Sequence, residues 1–307
     1  MVHGLGTENQ NLPGFVTISP DFSAGGARKH GCAFLPAATS GTAINAWGGG
    51  DGEGAPSLKG VELPFTKNEF LSVAQQRRQL DLLQAINRER LARDEVNAPL
   101  EGIIQSYETA FRMQSELPEL MDVDREPKHI LERYGINGKT TDNFGRSCLM
   151  ARRLIEGGVR YVQLNHGFWD HHKDLLGRHP EFALQTDQPI AGLLADLKER
   201  GLLEDTLVVW GGEFGRPPIL NKDNGRDHNP KGFTMWLAGG GVKGGLRYGE
   251  TDETGATAVV DKVHLHDLHA TILHLLGFDH ERLTYRYGGR DFRLTDVHGK
   301  VVHDIVA

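Results

Sequence analysis

The chain has 307 residues, 38% of them apolar and 24% charged, with a formal net charge of −7. That composition describes a globular chain with a substantial core and excludes the basic surface expected of a nucleic-acid binder. No run of about 18 apolar residues is present to cross a membrane, and two cysteines, Cys32 and Cys148, are too few for a disulfide framework.

The opening stretch MVHGLGTENQNLPG lacks a charged segment followed by an apolar one, so it does not read as a signal peptide. Residues 1 to about 60 are rich in Gly, Pro, Ser and Ala. Phe15-Val16-Thr17-Ile18 reads as one strand ended by Ser19-Pro20, and the remainder, through FLPAATSGTAI and AWGGGDGEGAP, reads as long loop. A loop of that length in a compact domain points to an active-site surface or to a segment without its packing partner.

Residues 66–134 read as a helical insert. Thr66 before Glu69 forms a capping-box pattern, and Leu71, Ala74, Leu80, Leu83 and Ile86 come after it at roughly helical spacing. Pro99 opens a second helix with Ile103, Ile104, Tyr107 and Phe111 on one face, and Pro118 and Pro127 punctuate the residues after that face. Charged helix faces of this kind are ordinarily just solvated, so the segment reads as a lid or insert rather than a catalytic element.

From about residue 141 helices and strands alternate. Phe144 to Ile155 suits a helix stopped by Gly157-Gly158, and VRYVQL (159–164) is a strand. Ile190, Leu193, Leu194 and Leu197 mark an amphipathic helix closed by Gly201. LVVW (207–210) and Phe233 to Leu237 are further strands, and Asp267 to Leu276 is a helix stopped by Gly277. This alternation predicts an α/β fold with a mainly parallel sheet covered by helices on both faces.

Three loops then share an address at strand ends, where open α/β sheets bind ligands. NHGFWDHH (165–172) comes after VRYVQL, Glu213 comes after LVVW, and Asp227-His228 precede GFTMWLA. Asp, Glu and His suit zinc and other divalent metals, and the chain carries 15 histidines, several of them clustered. The pattern makes these loops a candidate site for one or two divalent ions (zinc, manganese or calcium), with Asp170, His172, Glu213, Asp227 and His228 among the available ligands and a surface turn or hydrogen-bonded pair the alternative. A paired site of this kind clamps the attacking and leaving oxygens of a phosphate or sulfate ester. Arg216, Lys231 and His166 are candidates to hold the anionic substrate, with a surface salt bridge the alternative for the two cations. His264 and His266 precede the last helix at the end that favours anions, and Asp267 serves there as a cap. Ser40 and Thr42 are the early hydroxyls in a Gly-flanked turn; with no base identifiable beside them they read as loop residues, and no nucleophile is assigned.

LLADLKERGLLEDTLVVWGGEFGR, GFTMWLAGGGVKGG and LHDLHATILHLLG resemble sulfatases and related enzymes of the alkaline-phosphatase superfamily. More closely, GLGTENQNLPGFV, FLPAATSGT, GFWDHH, GGEFGRPP, GRDHNPKGFTMWLAGGGVKGG and GGRDFRLTDVHG resemble the bacterial domain-of-unknown-function family 1501 over nearly the whole chain. The resemblance implies a single alkaline-phosphatase-like domain over 1–307, a three-layer sandwich, and metal-dependent hydrolysis of a small anionic ester or a sulfated or phosphorylated carbohydrate. It places Glu213 where the superfamily has the Asp of an Asp-His pair, and Phe214 where it has the His, which removes one ligand. It likens Asp170 and His172 to the middle Asp and His ligands, and His228 to a late metal or substrate contact. Relatives begin upstream of GLGTENQNLPGF, so the resemblance also implies an N-terminally shortened member lacking the first core strand and the nucleophile region, with export to the periplasm for full-length relatives. A non-catalytic binder of carbohydrate or anions on the same scaffold is the rival reading, and a fragment that fails to fold is the third.

Overall fold

A computed structural model describes residues 1–20, 31–32, 34–46, 56–61, 68, 70–93 and 97–307. The contacts divide the chain into two compact units, Met1–Gly167 with Gln188–Ile190, and Phe168–Asp187 with Ala191–Ala307. The expected capping box at Thr66 and Glu69 lies outside the described residues.

In the first unit a short helix, α1 (Val2–Leu5), leads to β1 (Phe15–Ile18). β1 is the middle strand of a three-stranded parallel sheet, between β2 (Thr42–Ile44) and β3 (Tyr161–Leu164). Its register sets Ile18 against both Ile44 and Leu164. The run FVTI forms this strand because it is β-branched and aromatic, and Val16, Thr17 and Ile18 are fully buried as a central parallel strand requires. The short β2 lies inside the stretch expected as loop; TAI is too brief to show a period of its own.

Two long helices come next, α2 (Val73–Arg93) and α3 (Ala98–Met121). The Asn97 side chain caps α3 by accepting from the Leu100 N–H at 3.1 Å. Pro118 does not end α3, which continues to Met121. The apolar stripe read along α2 is not its packed face. Leu83 and Ile86 are exposed, while Gln84 is fully buried and donates to the Ile104 carbonyl at 2.7 Å. Arg77 bonds Glu108 with both terminal nitrogens, at 2.9 and 3.0 Å. The helices therefore meet along a polar, ion-paired seam, which outweighs the leucine periodicity in choosing the face.

α4 (Lys128–Arg133) starts after Pro127 and α5 (Asp142–Glu156) packs on β3 and α3. α5 is buried around most of its circumference, with Cys148, Leu149, Met150 and Leu154 among its core residues. It also buries two arginines. Arg146 is held by Asp142 and Asp124 at 3.0 and 2.9 Å, and Arg152 by Glu126 and Glu156 at 2.9 and 2.6 Å. The helix ends at the expected glycine pair, where Gly158 adopts a φ of 93° that favours glycine. Both cysteines are unpaired, and burial pushes the Cys148 thiol far above its ordinary range.

The second unit carries most of α6 (Leu175–Glu199), then β4 (Val208–Trp210), β5 (Trp236–Ala238), β6 (Glu250–Thr251), β7 (Ala258–Val260), α7 (Leu265–Leu275), β8 (Thr284–Tyr287) and β9 (Arg290–Arg293). α6 begins well before the predicted amphipathic segment and runs through Pro180 and Pro189. The strands form three two-stranded antiparallel ribbons, β4 with β5, β6 with β7 and β8 with β9. LVVW and MWLA are thus antiparallel neighbours, an arrangement that needs no helical crossover between them. The chain is mixed α/β, with three parallel strands in the first unit.

Candidate metal centre

The segment Trp169 to Lys173 is a tight loop in which the N–H groups of His171 and His172 donate to the Trp169 and Asp170 carbonyls, both at 2.9 Å. His171 is 2% exposed, packed edge-on against Phe182 and His179 with centroids 5.0 and 5.7 Å away. Asp170 and His172, by contrast, are about half exposed and meet at Oδ1 and Nε2. Burial, followed by the positive charges of His179 and Arg178, holds His171 below the usual histidine pKa.

Two further loops are laced to this segment. The Arg226 N–H donates to the His171 carbonyl at 2.9 Å, and the Asn221 amide donates to the His172 carbonyl at 3.0 Å. Gly225 lies so close that a Cβ there would stand 2.0 Å from the His172 carbonyl carbon. Gly215 and Asn229 exchange backbone hydrogen bonds at 3.0 and 2.8 Å. Asn221 orders its own turn by accepting from the N–H groups of Asp223 and Gly225.

The result is a triangle of ligand atoms. Asp170 Oδ1 lies 3.0 Å from His172 Nε2 and 3.0 Å from His228 Nε2, and the two Nε2 atoms are 3.1 Å apart. Among the described residues these three form a group able to hold a metal ion. Zn–N and Zn–O bonds of about 2.0–2.1 Å place tetrahedral ligands about 3.3 Å apart, and octahedral bonds of the same length about 2.9 Å apart. The observed edges fall between the two.

Asp227 stands behind the triangle. Its Oδ1 is 3.1 Å from His172 Nδ1 and also accepts from Asn221 at 3.2 Å. The Asn221 hydrogen bond first, and the His172 one next, hold its carboxyl below the ordinary aspartate value. An Nδ1–H held on Asp227 leaves the His172 Nε2 lone pair facing Asp170 and His228, as a metal ligand requires. Around Asp170, burial opposes ionisation, and the hydrogen bonds from Arg216 and His228 outweigh it, so that this carboxyl also sits below its usual range. Phe214 lies against the His228 ring with centroids 4.3 Å apart.

Of the residues expected at the site, Asp170, His172 and His228 converge and Asp227 supports one of them. Glu213 is outside the triangle, 3.8 Å from Arg216 Nη2, and two-thirds exposed. Arg216 reaches the cluster, with Nη1 on Asp170 Oδ1. Lys231 is exposed, its N–H donating to Asn229 Oδ1 at 3.2 Å. His166 belongs to the first unit, edge-on to Phe144 at 5.0 Å. Ser40 and Thr42 are also in the first unit: Ser40 Oγ lies 3.0 Å from Cys32 Sγ, and Thr42 opens β2. His264 and Asp267 form a capping box at the start of α7, with Asp267 Oδ2 accepting from the His264 N–H at 2.9 Å and His264 Nδ1 from the His266 N–H at 3.2 Å. Sequence reasoning missed Asn221; the Asn-x-x-x-Gly spacing of NKDNG, typical of an Asx turn, is the signal that marks it.

Searches of curated proteins and of solved structures returned no match. The model of the family described as "Protein of unknown function (DUF1501)" matches residues 1–306, and the chain belongs to that family.

Proposed function

We propose that this chain is a metal-dependent hydrolase of phosphate or sulfate esters, built on an alkaline-phosphatase-like three-layer α/β sandwich. The convergence of Asp170 Oδ1, His172 Nε2 and His228 Nε2 within 3.0–3.1 Å of one another carries the reading. Three ligand atoms so close, two of them imidazole nitrogens, form a donor set that would hold a cation. Two imidazoles and a carboxylate suit zinc or manganese better than calcium, which takes oxygen ligands. One ion fits this donor set.

When bound, such an ion polarises the ester oxygen and makes water more acidic. The chain's own groups do the rest. Asp170, His172 and His228 hold the ion, and Asp227 fixes the tautomer of His172 through Nδ1. Arg216 presents a planar guanidinium suited to the oxygens of a phosphate or sulfate group. The three ligands are each about half exposed, so the ester of a small anion or of a sulfated or phosphorylated carbohydrate has access from solvent.

Elemental analysis of protein purified with zinc or manganese tests this directly. The expected result is about one ion per chain, lost in the variants His172→Ala and His228→Ala, together with metal-dependent cleavage of aryl phosphates or aryl sulfates. A metal content near zero after supplementation would reject the centre. A loaded protein that binds phosphate or sulfate yet leaves both esters uncleaved would make anion binding the function.

A further inference from the structure

We propose that Arg216 is a switch between the metal site and the substrate anion: it competes with the metal for Asp170, and a metal that wins releases it to bind the anion. The switch rests on the proposed metal centre and adds a regulation to it.

The oxygen of Asp170 that faces both histidine nitrogens is the same oxygen that takes the Arg216 Nη1 hydrogen bond. Two cations, a guanidinium and a divalent ion, are therefore directed at one atom. Their mutual repulsion is strong at contact distances and acts in a site where Arg216 is only 20% exposed. Arg216 also has somewhere else to go. Its Nη2 is 3.8 Å from Glu213 Oε1, and its guanidinium lies over the Phe214 ring at 5.4 Å. The ring supports the flat group as it turns, and Glu213 offers the second counter-ion. A guanidinium displaced from Asp170 and resting on Phe214 has donors free for a phosphate or sulfate oxygen beside the ion. Glu213, which stands outside the triangle, acquires a role on this account as the alternative partner of Arg216.

The competition sets signs that an ordinary supporting residue does not. Loss of a residue that merely orients a ligand weakens metal binding, by about 10- to 100-fold. Loss of a competing cation strengthens it. Coupling between two ligands is also reciprocal, so the factor by which metal improves anion binding equals the factor by which anion improves metal binding.

Isothermal titration calorimetry with zinc and with inorganic sulfate, singly and together, reads all of these quantities. In the wild-type chain zinc is expected to tighten sulfate binding by about fivefold or more, and sulfate to tighten zinc binding by the same factor. In Arg216→Gln zinc is expected to bind about fivefold or more tighter, and the mutual enhancement to vanish. Arg216→Lys, which keeps a cation, is expected to leave zinc affinity near wild type and guards against a fold defect in the glutamine variant. Weaker or unchanged zinc binding in Arg216→Gln, with wild-type zinc binding that depends on Asp170, would overturn the switch alone. Absence of zinc binding in the wild-type chain and in Arg216→Gln would overturn the metal reading and the switch with it.

Discussion

Three side chains on two short loops make the candidate site, and their spacing decides which of them are legible. Asp170 and His172 stand two apart in one loop, so linear order already brings them to the same neighbourhood. His228 is legible because an Asp-His pair is a recognisable ligand set. What linear order does not contain is which member of that pair meets the cluster: His228 Nε2 reaches Asp170 Oδ1, while Asp227 lies behind His172. Glu213 is misplaced by the pattern for the same reason, since a residue at a strand end is brought near the site without being aimed at it. Asp227→Asn isolates the supporting role. Its carboxylate is largely exposed and contributes little to folding. Zinc affinity is expected to fall by about 10-fold or more, with the melting temperature of the zinc-free protein unchanged within roughly a degree. A zinc affinity equal to that of the wild type would remove Asp227 from the centre.

At the scale of elements, strong period and clear punctuation are readable and choice of face is not. FVTI, the α5 helix with its glycine stop and the LHDLHATILHLL helix all stand close to where their residues place them. β2 is too short to announce itself. In α2 the helix is legible and its packed side is not, because the contest between Leu83 and Gln84 is settled by the acceptors on α3, the Ile104 carbonyl and Glu108, which no local window contains. α7 shows the converse, an element whose local chemistry also does tertiary work. Asp267 caps the helix through Oδ2, and its Oδ1 accepts from the Lys300 N–H at 2.7 Å; one turn on, Thr271 Oγ1 accepts from the Val302 N–H at 2.9 Å. The chain after β9 is thereby strapped along the first turns of α7. Asp267→Ala removes a cap and a charged acceptor together, and a loss of about 1–3 kcal/mol is expected. Hydrogen exchange locates the effect: amides of Lys300 and Val302 are expected to lose protection, and unchanged protection there would show that the strap holds without Asp267.

Over the whole molecule the net charge of −7 hides an uneven use of charge. In the second unit the acidic groups of the candidate centre are half exposed. In the first, Arg146 and Arg152 are buried along α5 and paired with carboxylates, of which Glu126 is the least exposed. Glu126 sits between Arg152 and Arg153, with its side chain 9% exposed. Burial raises the pKa of its carboxyl, the hydrogen bonds to Arg153 and Arg152 lower it by more, and the net displacement is downward. Glu108 is lowered in the same sense, chiefly by Arg77. A carboxyl depressed in the folded state stabilises fully above its unfolded value, about 4.3 for glutamate, and loses that contribution as the pH falls through the lower folded value. Acid therefore weakens the first unit progressively below about pH 4.3. Glu126→Gln separates this contribution from the others. At neutral pH the variant is expected to melt below the wild type, because Arg153 loses its carboxylate and buried Arg152 is left with Glu156 alone, a change of roughly 1–3 kcal/mol. As the pH is lowered, the wild-type melting temperature is expected to fall faster than that of the variant, so the two curves converge. Thermal melts of both proteins from about pH 7 to about pH 3 measure the slopes, and parallel curves across that range would show that the buried ion pairs around Glu126 do not set the acid limit of the fold.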